Sequence, residues 1–421
     1  MNNSVRTVYV LATASRLLTI SIAVISYLWT GSYDSSGEIM LLAQQADQSV
    51  LQRCLTVFLR WDALYFVHIA EEGYIYEQEH AFFPLLPLAA RFFANTALYP
   101  IQSLLGKTYT IILAGVTITN VSFVLAAGAL YKLSLSLFPR RRKLAFLSAF
   151  MFCLSPPSMF MSSIYTESPF AALTFYGMLW FVSGYHLTAS LIWGVASAVR
   201  SNAIVYAGFF IYNLLTGQTA ASLTNLLKTV IYICFTMSGF AIFQYYGYQT
   251  FCTASMDRPW CTNTVPLLYS FVQKEYWGNG LFAYYELKQI PNFLLASPII
   301  ALSVGGIYKY AKYDWYRFLS LGKVKSRVHE RADGYTSDRI AAFIYLWAFL
   351  LVYVVTSMHV QVIIRFFTSV PPLYWYTAQI LVEGSSGKSN RHRILADVVL
   401  SYYILYGLVG IVLFAAFLPP A

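Results

Sequence analysis

Apolar runs long enough to cross a membrane recur along this chain, and they constrain its fold more than any other feature. The clearest runs cover residues 8–29, 109–138, 226–250, 340–358 and 394–418. A transmembrane helix needs about 20 apolar residues to cross the hydrocarbon core of a bilayer. Charged residues make up 11% of the chain, against about 25% in soluble proteins. The sequence therefore predicts an all-α polytopic membrane protein, with residues 1–421 forming a single integral membrane domain.

Lysine and arginine are concentrated in short blocks between the apolar runs. The blocks are Arg140 to Lys143, the segment 309–339, and the segment 388–393. Cytoplasmic loops of membrane proteins carry an excess of these residues, so the net charge of +10 indicates topology and not a nucleic-acid partner. Segment 309–339 is thus predicted to be a cytoplasmic basic loop, with the N-terminus on the same side and the first run retained as a signal anchor. The segments 30–108 and 251–290 then become lumenal loops.

The number of crossings depends on how the run 190–215 is interpreted. Five apolar runs lie between residues 144 and 309, whereas basic segments at both ends require an even number of crossings. Irregular backbone and charge are tolerated inside a membrane where they are buried or line a cavity. We therefore predict that 190–215 is a hairpin broken at Arg200, Ser201 and Asn202, which gives about 11 spans, with an error of about 2.

The segment 60–87 gathers five of the 18 carboxylates of this apolar chain: Asp62, Glu71, Glu72, Glu77 and Glu79. On a helix over 58–72, Asp62 shares a face with three apolar or aromatic residues, and Glu71 points in roughly the opposite direction. Asp62 is either a structural acid, capping a helix or paired in a salt bridge, or a general base. One carboxylate suffices to deprotonate a sugar hydroxyl when the leaving group is a lipid phosphate that needs no proton. The glutamates Glu71 and Glu72 fit a structural or solvated role.

Two arginines in apolar surroundings are candidates for binding that phosphate. Arg365 lies in "HVQVIIRFF" and Arg200 in "VASAVRSNA", and the guanidinium group suits bidentate phosphate recognition. The alternative for Arg365 is snorkelling to the membrane interface, and the alternative for Arg200 is a buried ion pair with Glu167. Cys252 and Cys261, which flank a polar connection, are candidates for a disulfide in an oxidising lumen.

Several common site types have no motif in this sequence. GxxxxGK[ST], HExxH, CxxC and DxD are all missing, and no GxGxxG follows a strand. A nucleotide-sugar donor held by a metal normally requires a carboxylate pair such as DxD. We therefore expect neither a metal nor a cofactor.

Four stretches taken together resemble the PIG-V type GPI mannosyltransferases, in order and in spacing. They are "RWDALYFVHIAEEGYIYEQEHAFFPLLP", "SPPSMFMSSIYTESPF", "YWGNGLFAYYELKQIPNFLLASP" and "HVQVIIRFF" followed by "PPLYW". The resemblance runs from about residue 55 to 376 and implies a GT-C type glycosyltransferase of the endoplasmic reticulum with a lumenal active site. Such an enzyme transfers the second, α-1,6-linked mannose from dolichyl-phosphate mannose to the mono-mannosylated GPI precursor.

The resemblance also implies roles for particular residues. Asp62 is the expected base, and Arg365, with His359 or His80 as further candidates, is expected to hold the dolichyl phosphate. Trp61 and nearby tyrosines are expected to stack on sugars. The trimmed loops resemble those of fungal members, which are expected to work with a small auxiliary membrane subunit. The complete set of predicted substrate-binding residues is Trp61, Tyr65, Glu72, His80, Tyr165, Glu167, Arg200, Asn202, Gln289, Asn292, His359, Gln361 and Arg365.

Three other functions compete with this interpretation. A transporter or flippase of lipid-linked sugar would also surround a cavity with charge, but transporters usually contain repeated halves, and no internal repeat is visible. A GT-C mannosyltransferase of another glycan pathway would share the same mechanism and differ in pocket shape. A non-catalytic scaffold subunit would retain the activity of its complex after Asp62→Asn.

Overall fold

The computed structural model describes residues 3–41, 49–217, 222–253, 258–323, 334–387 and 389–419, apart from the side chain of Glu38. Every regular element in these ranges is a helix. The predicted loop 30–108 contains five short helices, α2 to α6, and 3₁₀ turns connect several of the other elements. The helices are α1 (Asn3–Thr30), α2 (Ser36–Met40), α3 (Val50–Thr56), α4 (Asp62–Glu72), α5 (Leu85–Asn95), α6 (Tyr99–Leu105), α7 (Lys107–Leu137), α8 (Arg142–Cys153), α9 (Glu167–Val182), α10 (His186–Ser197), α11 (Ala207–Leu215), α12 (Leu223–Cys252), α13 (Leu268–Glu275), α14 (Ile290–Tyr313), α15 (Trp315–Leu319), α16 (Ala341–Ser357), α17 (Ile363–Phe366), α18 (Pro371–Ser385) and α19 (Asn390–Ala415).

Six helical segments among the described residues are long and apolar enough to cross a membrane. They coincide with apolar runs identified in the sequence, so the predicted class of all-helical membrane protein is confirmed. Five shorter helices, α8 to α11 and α18, pack between or beside them. The six segments are Asn3–Thr30, Lys107–Leu137, Leu223–Cys252, Leu287–Tyr313, Asp338–Ser357 and Asn390–Ala415.

The predicted break in the run 190–215 is confirmed. Helix α10 ends at Ser197, Arg200 has an extended backbone (φ −152°, ψ 140°), and a 3₁₀ turn over Ser201–Tyr206 leads into α11. The two arms run antiparallel, because the ring of Trp193 lies 5.2 Å from that of Tyr206 and the ring of His186 lies 6.1 Å from that of Phe210. Arg200 and Asn202 therefore sit at the tip of a reversal.

Close packing of α10 against α12 holds this tip in position. A methyl group added at Gly194 would lie 2.3 Å from the carbonyl oxygen of Phe235, and one at Gly239 would lie 2.4 Å from the carbonyl oxygen of Gly194. Only glycine allows the two backbones to approach so closely, as is common between membrane helices. The oxygen of Ser197 also accepts a hydrogen bond from the backbone N–H of Phe240 at 3.1 Å.

Basic residues meet at one end of the helix bundle. Lys143 donates to Ser385 at 2.8 Å, and Lys309 pairs with Glu383 at 2.5 Å. At the opposite end, the backbone N–H of Tyr33, just after α1, donates to the carbonyl of Ala416, just after α19, at 2.9 Å. The long loop between α1 and α7 and the segment leading into α9 also lie at this second end.

Three of the clustered glutamates join loop segments to each other. The side chain of Glu77 accepts hydrogen bonds from Trp260 at 2.6 Å, from Tyr276 at 3.0 Å and from both Nε and Nη2 of Arg258. Glu79 accepts from two backbone N–H groups of its own loop and lies 2.5 Å from Nδ1 of His68. Glu71 accepts a hydrogen bond from Thr108 at the start of α7. These acids are structural, and Glu77 fixes loop 251–290 against loop 30–108.

Candidate active site

The backbone turns sharply immediately before Asp62. Trp61 has φ 44° and ψ −114°, a conformation that costs free energy for a residue with a side chain. Helix α4 begins at Asp62, so the carboxylate lies in its first turn, where negative charge is favourable. The preceding Arg60 is fully buried and donates to the carbonyl of Ala415 at 3.4 Å. The turn therefore directs Asp62 and Trp61 to different surroundings.

Asp62 and Arg365 form an ion pair that continues to a second carboxylate. Nη2 of Arg365 is 2.8 Å from Oδ2 of Asp62, and Nε of Arg365 is 2.9 Å from Oε1 of Glu167. Arg200 lies 3.3 Å from the same Glu167 oxygen. Glu167 is fully buried, whereas 26% of the Asp62 side chain is exposed. Two arginines and two carboxylates thus alternate, and Asp62 is the outermost acid.

Aromatic rings support the guanidinium group of Arg365. Its central carbon lies 4.4 Å from the ring centroid of Phe160 and 4.9 Å from that of Tyr165. The hydroxyl of Tyr165 donates to the carbonyl of Arg60 at 2.8 Å. Cation–π contacts stabilise a charge that is partly removed from water. Tyr165 therefore positions Arg365 from behind and has no exposed surface of its own.

A cavity of about 260 Å³ opens in front of this ion-pair network. Its wall is formed by α4, the Arg200 turn, α13 with the segment after it, and the segment around His359. Cavities that bind small ligands orient them through convergent polar groups, and this cavity is lined by polar and charged side chains as well as aromatic ones. The residues lining it are Asp62, Phe66, Ala81, Phe82, Phe83, Thr166, Val199, Arg200, Ser201, Asn202, Tyr269, Gln273, Trp277, Asn279, Met358, His359, Val362, Arg365 and Phe366.

Five of the residues predicted for the site line this cavity: Asp62, Arg200, Asn202, His359 and Arg365. Tyr165 and Glu167 lie directly behind Arg365, in contact with it. These seven come from four separate parts of the chain, so the fold brings together residues that the sequence keeps as much as 303 positions apart.

Three more predicted residues lie behind the wall of the cavity. The ring of Tyr65 stacks on that of Phe82 at 4.5 Å. Asn292 donates to Gln289 and to the hydroxyl of Tyr284, both at 2.7 Å, and the ring of Tyr284 stacks on His359 at 4.5 Å. Gln289 and Asn292 therefore support the wall through Tyr284.

The four remaining predicted residues neither line the cavity nor support its wall directly. Trp61 packs its ring against Phe160, Phe414 and Phe417, because the backbone turn directs it away from Asp62. Glu72 is exposed at the far end of α4, almost three turns from Asp62. His80 is buried in an aromatic cluster, 5.0 Å from the ring of Phe243. Gln361 lies in a 3₁₀ turn, outside the cavity lining, and its Oε1 is buried.

The two histidines proposed as phosphate ligands are not cations near neutral pH. Burial lowers the pKa of His80 to about 4, and burial also lowers the pKa of His359 below its ordinary value. Burial therefore favours the neutral form of His359 at the cavity wall. The cationic groups lining the cavity are Arg365 and Arg200.

Sequence reasoning missed the contribution of the second loop to the cavity. Tyr269, Gln273, Trp277 and Asn279 line it, although "YWGNG" was already part of the recognised motif. The sequence feature that could have indicated this contribution is Asn279, a polar residue between two glycines and two positions after Trp277 in an otherwise apolar chain. Cys252 and Cys261, at the start of this loop, form a disulfide with their Cα atoms 5.7 Å apart.

No group of three histidine, cysteine, aspartate or glutamate side chains with the arrangement of a metal site occurs among the described residues. The acids of the network are instead neutralised by arginine. This arrangement suits a reaction in which a carboxylate handles a proton and a guanidinium handles a phosphate charge.

Comparison with known proteins identifies close relatives over most of the chain. The chain is 31% identical to a rat GPI alpha-1,6-mannosyltransferase 2, with 86% of this chain and 87% of the relative covered. It is 34% identical to the human protein of the same name, covering 77% and 73% of the two chains. It is 32% identical to GPI mannosyltransferase 2 of Aspergillus fumigatus, covering 92% and 88%.

Among solved structures, the oligosaccharyltransferase of Archaeoglobus fulgidus is similar with a TM-score of 0.49 and 12% identity; 95% of this chain and 55% of that protein are covered. The chain thus spans about half the length of the archaeal protein, and the likeness is too weak to support any argument. A family model, in contrast, matches residues 9–421, nearly the whole chain, and its description is Mannosyltransferase (PIG-V). This chain belongs to the PIG-V mannosyltransferase family.

Proposed function

We propose that this protein transfers the second mannose of the GPI anchor, in α-1,6 linkage, from dolichyl-phosphate mannose to the mono-mannosylated GPI precursor. The observation that carries the mechanism is the placement of Asp62 beside Arg365 at the mouth of the cavity, with the carboxylate partly exposed. The names of the relatives support the α-1,6 linkage and the GPI acceptor.

The chemistry needs one base and one anion-binding group. Asp62 takes the proton from the 6-hydroxyl of the acceptor mannose, and that oxygen attacks C1 of the donor mannose. The bond from C1 to the phosphate oxygen breaks on the opposite face, so the anomeric centre inverts, as in inverting glycosidases. Dolichyl phosphate leaves with the electron pair, and Arg365 stabilises its charge. The donor is a substrate, and we propose that neither a metal nor a cofactor takes part.

The pairing of Asp62 with Arg365 suggests how donor binding activates the base. A donor phosphate entering the cavity competes with Asp62 for Nη2 of Arg365, while Nε stays bound to Glu167. Asp62 then loses the hydrogen bond from Arg365 and can accept one from the hydroxyl of the acceptor mannose. Arg200, whose guanidinium also pairs with Glu167, is a second candidate for binding the phosphate.

We further propose that the enzyme lies in the endoplasmic-reticulum membrane with this site on the lumenal side. The meeting of basic residues at the opposite end of the bundle supports a cytoplasmic location for that end. Tyr9, near the N-terminus, packs against Gly128 in the half of α7 that leads to the end of the bundle with the basic residues. Ala416 lies at the opposite end of the bundle, where the candidate active site is. Termini at opposite ends support an odd number of crossings, in agreement with the predicted count of about 11.

This topology makes 30–108 the lumenal catalytic loop, 251–290 a second lumenal loop and 309–339 a cytoplasmic loop. Residues 42–48, 254–257 and 324–333 of these segments lie outside the described residues. A small auxiliary membrane subunit stays a proposed partner.

The test is mannose transfer by purified protein with Asp62→Asn, and Glu286→Gln as the matched control. Glu286 is an exposed acid paired with Lys288 at the surface, so its loss should leave turnover unchanged. A general base contributes about 10²–10⁴ in rate, and we expect a loss of at least about 10² in Asp62→Asn without a large change in thermal stability. The product of the wild type should carry an α-1,6 link.

Three results would contradict the proposal or part of it. An Asp62→Asn protein that is folded and fully active would show that the base lies elsewhere. A wild type that transfers nothing, alone or after addition of membrane extract, would exclude the transferase function. Turnover lost in EDTA and restored by Mn²⁺ or Mg²⁺ would refute the metal-independent mechanism.

A further inference from the structure

Several residues that line the cavity contain buried polar atoms that have no partner among the described residues. They belong to three side chains: the amide oxygens of Asn202 and Asn279 and the indole nitrogen of Trp277. All three residues line the cavity. Buried polar groups without a hydrogen bond are rare in folded proteins because each one costs free energy. Three of them at one cavity therefore require an explanation.

The amide of Asn279 is held in a defined orientation. Its Nδ2 donates to Oε1 of Gln273 at 2.6 Å, and Gln273 also lines the cavity. With its nitrogen engaged in this way, the oxygen of Asn279 is an acceptor in a fixed position. The backbone supports the arrangement, because Gly278 has φ +62° and the N–H of Asn279 donates to the carbonyl of Gln273 at 2.9 Å.

Trp277 is fixed by aromatic contacts from the first loop. Its ring lies 5.9 Å from that of Phe82 and 6.4 Å from that of Tyr65, in edge-to-face geometry in both cases. These contacts hold the indole while its N–H has no acceptor among the described residues. A preorganised donor beside a preorganised acceptor is typical of a site that recognises a specific ligand.

Asn202 is contributed by the Arg200 turn. The neighbouring Ser201 donates to the hydroxyl of Tyr269, which also lines the cavity, at 2.8 Å. This bond joins the turn to helix α13. Residues that line the cavity thus carry two acceptors and one donor that are buried without partners among the described residues, on elements that are tied to each other and to the network around Asp62.

We propose that Asn202, Trp277 and Asn279 form a hexose-binding subsite, in which the two amide oxygens accept hydrogen bonds from sugar hydroxyls and the indole N–H donates one. The inference rests on the proposed function, because a mannose must occupy this cavity for Asp62 to act on it. Two sugars share the required chemistry, the mannose of the donor and the mannose of the acceptor. The experiment below separates them.

The test measures KM for each substrate separately in Asn279→Ala, Asn202→Ala and Trp277→Phe. Each change removes one hydrogen-bonding group, so we expect a rise of about 3- to 10-fold in KM for one substrate. A rise for dolichyl-phosphate mannose assigns the subsite to the donor sugar, and a rise for the GPI precursor assigns it to the acceptor.

Asn95→Ala is the matched control, since Asn95 is exposed at the end of α5 and lies outside the cavity. Folded variants with unchanged KM values for both substrates would overturn the subsite. Ligand binding without turnover provides an independent measurement, because a bound ligand raises thermal stability. In an Asp62→Asn background, adding Asn279→Ala should reduce the rise in thermal stability that one of the two substrates causes. If both substrates raise thermal stability equally in the two proteins, with and without Asn279→Ala, the subsite is refuted.

The kinetic and binding measurements together distinguish a failure of the proposed transferase function from a failure of the proposed subsite. Failure of wild-type transfer would contradict the proposed function and leave the binding measurement to decide on the subsite. Active variants with normal KM values, in contrast, would refute the subsite and leave the proposed function intact.

Discussion

Arg365 donates hydrogen bonds to two carboxylates at once, through Nη2 to Asp62 and through Nε to Glu167. Lysine has a single, rotatable ammonium group and cannot reproduce this planar fork. Since a hydrogen bond to a charged group contributes about 1.5–3 kcal/mol, we expect Arg365→Lys to reduce kcat/KM by about 10- to 10²-fold. Transfer kinetics of the purified variant, with thermal unfolding as a control for folding, will measure this. Unchanged kinetics would show that one positive charge is sufficient.

Glu167 holds two arginines together in a fully buried position. Breaking a buried ion pair costs about 3–5 kcal/mol, because the remaining charge is left uncompensated. We therefore expect Glu167→Gln to lower thermal stability strongly and to raise KM for the donor. Arg365 keeps its pair with Asp62 in this variant, whereas Arg200 loses its pair with Glu167. Adding Arg200→Met removes that charge, so the double variant should be more stable than the sum of the two single effects predicts. Strictly additive effects would argue against this coupling.

The carboxylate of Glu77 links loop 30–108 to loop 251–290, and this link should depend on pH. Burial by itself raises the pKa of Glu77, but hydrogen bonds from Arg258, Trp260 and Tyr276 outweigh it, so the pKa lies below its ordinary value. Such a group stabilises the fold above the pKa of the unfolded state, about 4.3. The contribution is lost as the pH falls through the folded pKa.

We expect Glu77→Gln to cost about 1–3 kcal/mol at pH 7 and to flatten the decline in stability below about pH 4.3. Thermal unfolding of the wild type and the variant at several pH values measures both effects. Glu286→Gln is the control, because that side chain is exposed at the surface. Parallel stability curves for the wild type and Glu77→Gln would contradict the role assigned to the link.

The disulfide between Cys252 and Cys261 gives a test of both structure and topology. In a background where Cys54, Cys153 and Cys234 are replaced by serine, a maleimide reagent should modify the protein only after reduction. In sealed microsomes, a membrane-impermeant maleimide should fail to reach the reduced cysteines until the membrane is opened, because we propose that they face the lumen. Modification without reduction would exclude the bond, and modification of reduced protein in intact vesicles would exclude the lumenal location.

Much of this protein could be predicted from short-range patterns in its sequence. Membrane-length apolar runs identified the long helices, because a bilayer imposes that length on any helix that crosses it. The polar interruption at Arg200 to Asn202 identified the reversal between α10 and α11. Asp62 and Arg365 stood out because an isolated charge in apolar surroundings is costly unless it has a purpose.

The tertiary structure decided which residues share the site. Trp61 is adjacent to Asp62 in sequence, but a backbone turn directs it into an aromatic cluster, whereas Trp277 and Asn279 reach the cavity from a loop more than 200 positions away. Glu77 and Glu79 resemble Asp62 in composition and neighbourhood, and only their hydrogen-bond partners reveal that they are structural. Local sequence determines helix length because this length depends on neighbouring residues and on the thickness of the bilayer. The partner of each charge depends on contacts such as that between Asp62 and Arg365, 303 positions apart, which only the folded chain creates.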